Sequence, residues 1–386
     1  MRVLNVSVLL DPVTGGGTAE RTFQMSRSLA RAGIECAILT TDIGLTTDRI
    51  KQLGNVRVIA LSCISKRFFV VRFSWSHLKA LVASVDVIHL MGHWSMLNVL
   101  VTLLARQTGT PYVVCPAGEL SLFGRSSLQK KVFNLLIGYR IVREASGHIA
   151  VSPDEIPVYE CYGVEQSKIT VIPNGINETD FAEYGANQFA DRFGLRAAPF
   201  ILFMGRLNPI KGPDLLLEAF CTIAHKHPER DLVFAGPDGG LLGALEKVTR
   251  ARGVADRVSF IGYVAGRDKA EAYRAADLLV IPSRQEAMSI VVLEAGIVGT
   301  PVLLTDRCGF DEVAKVGGGK VVAATAIDLA AGLDSLLADR SALKGMGEHL
   351  QAHVRENFTW DVIVRRFMDL YQQLLARPGR GHAINQ

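Results

Sequence analysis

Two glutamates with seven residues between them, Glu286 and Glu294 in QEAMSIVVLEAG, are the residues whose placement most suggests chemistry. Glu294 sits among Val291, Val292, Leu293 and Ala295, where a carboxylate is costly to bury unless it has partners. Ribose hydroxyls would be such partners, and sugar hydroxyls could donate to Glu286 at the end of the apolar run DLLVIPS. If a helix opens near Ser289, backbone N–H groups at Ala287, Met288, Ser289 and Ile290 could meet phosphate oxygens. A metal site is the chemical competitor, but no His or Cys accompanies the two carboxylates. Two surface glutamates on an edge helix are the plain alternative.

A second constellation lies in FILFMGRLNPIKGPDLLLEAF, residues 200–220. Gly205 and Arg206 follow an apolar run, and Lys211-Gly212-Pro213 opens a helix-period stretch, with Pro213 suited to the first turn. Arg206 and Lys211 are thereby delivered to a strand end beside a helix start, where two cations can grip a pyrophosphate. A third candidate is Gly15, Gly16 and Gly17 in DPVTGGGTAERTF. A glycine-rich turn between strand and helix lets backbone approach an anion closely. The spacing is not G-x-G-x-x-G, because Glu20 stands where the last glycine would fall, and this weakens a dehydrogenase reading.

These residues must be positioned by alternating short apolar runs and helix-period stretches. Strands are expected at 3–10, 34–39, 56–60, 85–90, 112–115, 147–151 and 169–172. Helices are expected at 18–31, 95–107, 127–144 and 153–161, the first ending at Gly33 as a C-terminal cap. The polar, turn-rich stretch 174–199 interrupts the rhythm and reads as an interdomain linker. Strands then recur near 200–204, 231–235, 257–261, 277–281, 301–304 and 320–323, with helices between and after them. The expectation is an α/β protein of two doubly wound, Rossmann-like domains, 1–173 and 200–358, facing each other across a cleft. A last helix at 359–377 and a flexible tail at 378–386 complete the reading.

Composition fits this picture. The chain has 386 residues, too many for one ordinary core, with 49% hydrophobic and 21% charged residues. A formal charge of +4 does not suggest nucleic acid. Six scattered cysteines without a C-x-x-C pair argue for reduced thiols, a cytoplasmic setting, and neither a zinc site nor a disulfide framework. No apolar stretch is long enough for a spanning helix. Residues 65–75, SKRFFVVRFSW, interleave basic and aromatic side chains, and a peripheral membrane contact is one reading of them, an ordinary strand with snorkelling cations the other.

Taken together, DVIHLMGHWS, VIPNGIN, MGRLNPIKGPDLLLEAF, FIGYV, the E-x7-E run, GTPVLLTD and the final FTW stretch resemble the retaining glycosyltransferases of family four, with the GT-B fold. The resemblance extends over nearly the whole chain. It implies transfer of a sugar from a UDP- or GDP-sugar to an acceptor hydroxyl, on a glycan or lipid-linked acceptor at the inner face of the membrane. By that resemblance Arg206 and Lys211 hold the donor diphosphate, Glu294 the ribose and Glu286 the donor sugar. Glycines 15–17 close over the donor phosphate, no cofactor or divalent metal is required, and the last helix crosses back to the first domain. Arg206, Lys211 and Glu286 form the catalytic set. Two departures stand out. Glu286-Ala287-Met288-Ser289 replaces a frequent E-G-F-G, and Pro116-Ala117-Gly118-Glu119 replaces a frequent P-H-G-M. Ala117 thus stands where a histidine faces the donor sugar, and His93 or Glu119 is the candidate to supply an acceptor-side polar group. A nucleotide-sugar epimerase of the related fold and a non-catalytic two-lobed binding protein are the alternative readings.

Overall fold

The computed structural model describes residues 1–66, 69–121, 127–181 and 189–376. The chain divides into two compact units, one of residues 1–175 with 360–386, the other of 176–359. The tail at 378–386 lies outside the described residues.

The first unit is built on a wholly parallel sheet of seven strands: β1 (Arg2–Val6), β2 (Glu35–Thr41), β3 (Arg57–Leu61), β4 (Val87–Met91), β5 (Tyr112–Cys115), β6 (Gly147–Ala150) and β7 (Ile169–Val171). Their spatial order is β3-β2-β1-β4-β5-β6-β7. The central strands are buried on both faces, β4 throughout its length, which is why they read as unbroken apolar runs rather than alternating ones. Helix α1 (Pro12–Arg31) leads from β1, α2 (Met96–Thr108) follows β4, and α3 covers residues 127–143. Within α3, α-helical turns at Ser127–Phe133 and Tyr139–Arg143 flank a π-helical turn at Asn134–Gly138.

The second unit repeats the plan with six strands: β8 (Phe200–Met204), β9 (Asp231–Ala235), β10 (Val258–Gly262), β11 (Leu278–Ile281), β12 (Val302–Thr305) and β13 (Gly319–Val322). Their order is β10-β9-β8-β11-β12-β13, again all parallel. Three helices matter for the site: α4 (Pro213–Ile223), α5 (Gly266–Ala275) and α6 (Ile290–Ile297). Phe203, Phe234 and Phe260 from adjacent strands pack ring to ring, Phe203 tilted on Phe234 at 5.4 Å and Phe234 stacked on Phe260 at 5.0 Å between centroids. In both sheets the strand order reverses beside the first strand of the unit, between β1 and β4 and between β8 and β11. Ligands of doubly wound sheets bind at such a switch point, beyond the carboxyl ends of the strands.

Three expectations are corrected: the start of the first helix, the loop at glycines 15–17 and the linker at 174–199. The first helix begins at Pro12, not 18, because Asp11 caps it by accepting from the Thr14 N–H at 2.9 Å. Glycines 15–17 therefore fall inside helical structure, and only Gly16 leaves it (φ 58°, ψ −144°), as a kink rather than a loop. The stretch 174–199 is divided rather than a free link: Ile176 onward belongs to the second unit, where Ile176 bridges Thr359 and its N–H donates to the Phe358 carbonyl. The last helix, α7 (Trp360–Ala376), belongs to the first unit, where Tyr371 bonds His89 and Phe367 lies under the Arg21 guanidinium. Among the described residues no helix is long and apolar enough to cross a membrane.

Candidate donor site

In the second unit the loops after β8, β11 and β12 are locked together at the switch point. Gly212 starts α4 in a left-handed conformation (φ 68°), and a Cβ there would stand 2.0 Å from the Pro282 carbonyl oxygen. Only glycine permits that approach. Arg284 ties the same two loops: its N–H donates to the Ile210 carbonyl at 2.8 Å and its guanidinium pairs with Asp214 at 2.6 Å. The loop after β12 braces the other side. Glu286 N–H donates to the Arg307 carbonyl, the Thr305 hydroxyl to the Ser283 carbonyl, and Gly309 sits where a Cβ would meet the Ala287 oxygen at 2.0 Å.

This bracing puts Lys211 Nζ 3.0 Å from Glu286 Oε1. The Glu286 side chain is 9% exposed and that of Lys211 36%, and the Ser283 hydroxyl also donates to the carboxylate. Lys211 is held from its own backbone too, whose N–H donates to Asn208 Oδ1 at 3.0 Å. Arg206 opens this loop, half-buried, its stem lying against the backbone of Gly239, where any Cβ would be 2.9 Å from Arg206 Cγ. Gly205, preceding it, donates its N–H to the Ala235 carbonyl. The cation assigned to a diphosphate and the carboxylate assigned to a sugar thus touch one another. An arriving phosphate would compete with Glu286 for the ammonium, which leaves the carboxylate to accept from hydroxyls.

Glu294 lies in the second turn of α6, 5% exposed. Its burial is compensated from α5: Lys269 Nζ donates to Oε1 and the Tyr273 hydroxyl to Oε2, both at 2.6 Å. Burial and the neighbouring carboxylate push the Tyr273 hydroxyl well above the usual phenol range. The partners were expected to be ribose hydroxyls; within the protein they are a lysine and a tyrosine, and lone pairs remain for a further donor. Ser289 occupies the cap position of α6 without capping it: its hydroxyl is buried and makes no hydrogen bond. Its N–H, expected to be open to phosphate with those of Ala287, Met288 and Ile290, is already donated to the Cys308 carbonyl.

The first unit treats its candidates differently. His93 is 2% exposed, enclosed by Trp94, Phe133 and Tyr162, and its Nε2 lies 3.0 Å from Asn134 Oδ1. Burial pushes its pKa down to about 4. Glu119 is part-buried; its carboxylate accepts the His93 N–H at 2.6 Å, and its carbonyl accepts the Trp94 indole N–H at 2.6 Å. The two residues expected to line an acceptor are therefore bonded to each other's loop and hold β4 and β5 ends in place. Ala117, where the family pattern has histidine, adopts φ 49°, and the next N–H, of Gly118, donates to Glu155 at 2.6 Å. Among the described residues no group of three His, Cys, Asp or Glu side chains converges as a metal site.

Sequence reasoning missed Ser283, Asn208, Lys269 and Tyr273. Lys269 and Tyr273 are four apart in RDKAEAYR and so share a helix face, but nothing local tells which carboxylate that face meets.

Comparison with known proteins follows this geometry. The model for glycosyl transferases group 1 matches residues 189–353, and that for a glycosyl transferase 4-like domain matches residues 16–175. A D-inositol 3-phosphate glycosyltransferase of Nocardia farcinica is 31% identical over 257 residues, covering 63% of this chain and 57% of that protein, so the match spans little more than half its length. The protein of the same name from Gordonia bronchialis is 28% identical over 406 aligned positions, covering 96% of this chain and 87% of that one. Among solved structures, Anabaena Alr3699/HepE in complex with UDP-glucose superposes with a TM-score of 0.80 at 18% identity, covering 97% of this chain and all of that one. With its two parallel-sheet α/β units the chain has the GT-B fold, and it belongs to the group 1 glycosyltransferases.

Proposed function

We propose that the protein moves a sugar from a nucleotide-diphosphate sugar to an acceptor hydroxyl with retention and without a divalent metal. The observation that carries this reading is the Lys211–Glu286 pair, at 3.0 Å, beyond the strand ends where β8 and β11 meet. Lys211 and Arg206 neutralise the diphosphate, and Glu286 and Glu294 accept from the hydroxyls of the donor sugar and ribose. In the reaction the bond from the anomeric carbon to the phosphate oxygen breaks, and the departing diphosphate keeps the electron pair. The acceptor oxygen attacks from the same face, and its proton passes to the leaving phosphate. Charge on that phosphate is the chief barrier, so cations fixed in place beforehand do most of the catalysis. A uridine donor is favoured, because a structural neighbour was captured with UDP-glucose. The acceptor is a glycan or lipid-linked glycan at the cytoplasmic membrane face; a phosphorylated polyol is the second reading, favoured by the names of the relatives.

A thermal-shift screen against UDP- and GDP-sugars tests the donor. A true donor at about 100-fold over its Kd should add on the order of 3 kcal/mol. Lys211→Ala and Glu286→Ala should each lower transfer by about 10²–10³-fold, and Lys211→Ala should also lower the melting temperature without ligand, because it strands the Glu286 carboxylate, 9% exposed. If no nucleotide sugar shifts the wild type, or if Glu286→Ala transfers sugar normally, the reading fails.

A further inference from the structure

Helix α3 carries an apolar face that nothing among the described residues covers. Leu128 is 73% exposed, Val132 48%, Leu135 81%, Leu136 75% and Tyr139 36%, at spacings that place them along one side of the helix. Isolated exposed leucines need no explanation, but a continuous stripe does. Its opposite face is fixed by a buried polar chain. Asn134 Nδ2 donates to the Tyr162 hydroxyl at 2.6 Å, Asn134 Oδ1 meets His93 Nε2, and the Tyr162 hydroxyl donates to the Leu120 carbonyl at 3.0 Å. Asn134 and Gly138 bound the π turn, and a Cβ on Gly138 would collide with Asn134 Oδ1 at 2.3 Å. Rotating α3 to hide Leu135 and Leu136 would break this network and strand its members in the interior. The leucines are held outward by the fold.

Charge identifies what covers them. From 120 to 143 the chain has no acidic residue but five basic ones, Arg125, Lys130, Lys131, Arg140 and Arg143. Arg125 lies outside the described residues, and Lys130 stacks on the Trp94 ring at 5.3 Å. Lys131, Arg140 and Arg143 are exposed on the same helix; Arg140 and Arg106 share the one carboxylate of Glu144, which leaves net positive charge, and Arg143 Nε donates to the Tyr162 carbonyl at 2.7 Å. An apolar stripe edged by cations matches an anionic bilayer surface, where acyl chains accept the leucines and headgroup phosphates the basic side chains.

We propose that α3 docks the protein on anionic membrane, with Leu128, Leu135 and Leu136 entering the interface. The contact expected from sequence at residues 65–75 lies on other elements, where Val70, Phe73 and Trp75 are 39%, 41% and 44% exposed and Arg67 and Phe68 lie outside the described residues. The docking proposal stands apart from the donor-site reading, since none of its residues belongs to that site.

Co-sedimentation with vesicles of phosphatidylcholine, with and without phosphatidylglycerol, tests it on the full chain. Wild type should bind the anionic vesicles and lose them at high salt. Leu135→Gln with Leu136→Gln should weaken partition by about tenfold or more, and Lys131→Glu by about fivefold or more on anionic vesicles only. Circular dichroism and the nucleotide-sugar melting shift should match wild type, which separates lost docking from lost folding or donor binding. The proposal is overturned if wild type ignores anionic vesicles or if the double variant binds as before. It also fails if Phe73→Ser with Trp75→Ser alone abolishes binding, or if light scattering finds a dimer that the double variant splits.

Discussion

At the scale of single residues, the buried Glu294 carboxylate has partners within the protein and, in the proposed function, a ligand as well. Lys269 and Tyr273 compensate its charge inside the protein, so its removal has two separable consequences. Glu294→Gln should cost about 3 kcal/mol, the low end of the range for breaking a buried pair, because the Lys269 side chain remains 28% exposed. Adding Lys269→Met removes the stranded cation and should restore much of that stability in urea titrations. Donor affinity should stay low in both variants if Glu294 reaches the ribose. Should the double variant bind donor like wild type, the carboxylate is structural only.

At the scale of elements, the proposed donor site depends on loops that cannot be straightened. The loop carrying Lys211 reaches Glu286 because Gly212 takes φ 68° against the Pro282 carbonyl. Gly212→Ala should therefore cost at least about 2 kcal/mol and abolish donor binding, since strain and collision act together. Gly16 makes the useful contrast: its φ is 58°, but a Cβ there would meet nothing within 4 Å. Gly16→Ala should cost only about 1–2 kcal/mol of strain. Denaturant melts of the two variants check the ranking; equal costs would show that the Pro282 contact yields. Arg21 is the corresponding brace in the first unit, buried in α1 with its guanidinium on Asn174 Oδ1 and the Ile172 carbonyl at 2.8 and 2.7 Å.

At the scale of the whole molecule, the buried histidines of the first unit set an acid limit on stability. Burial lowers the pKa of His89 to about 3 and of His93 to about 4, from 6.5. Both are neutral in the folded state, so their contribution is full above pH 6.5 and is lost as pH falls through that window toward 4. The slope is up to about 1.4 kcal/mol per pH unit for each. Glu119 and Glu155, raised by burial, work in the opposite sense, giving stability at low pH that is lost as pH rises. Comparing His93→Gln with wild type isolates one histidine, because the glutamates are common to both. The variant should lose about one proton from the slope of unfolding free energy between pH 6.5 and 4. An unchanged slope would mean that His93 already titrates in the native protein.

What sequence alone determined is local: the two parallel sheets, the loop position of Glu286, the helix turn holding Glu294, and Arg206 and Lys211 at a strand end. Each follows from a run of neighbours, because apolar length, Pro213 and the strand-to-helix rhythm are short-range signals. The kink at Gly16 was misread for the same reason, since three glycines look like a loop until Asp11 is seen to cap. Tertiary structure decided the rest. The Lys211–Glu286 contact joins residues 75 positions apart, Lys269 and Tyr273 find Glu294 across two helices, and His93 and Glu119 turn inward to brace their loops. The outward face of α3 is the clearest case: its leucines alone suggest a core helix. Only the anchoring of Asn134 to His93 and Tyr162 fixes which side of that helix meets the protein. Partner choice between distant elements is a property of the packed chain, and no local pattern encodes it.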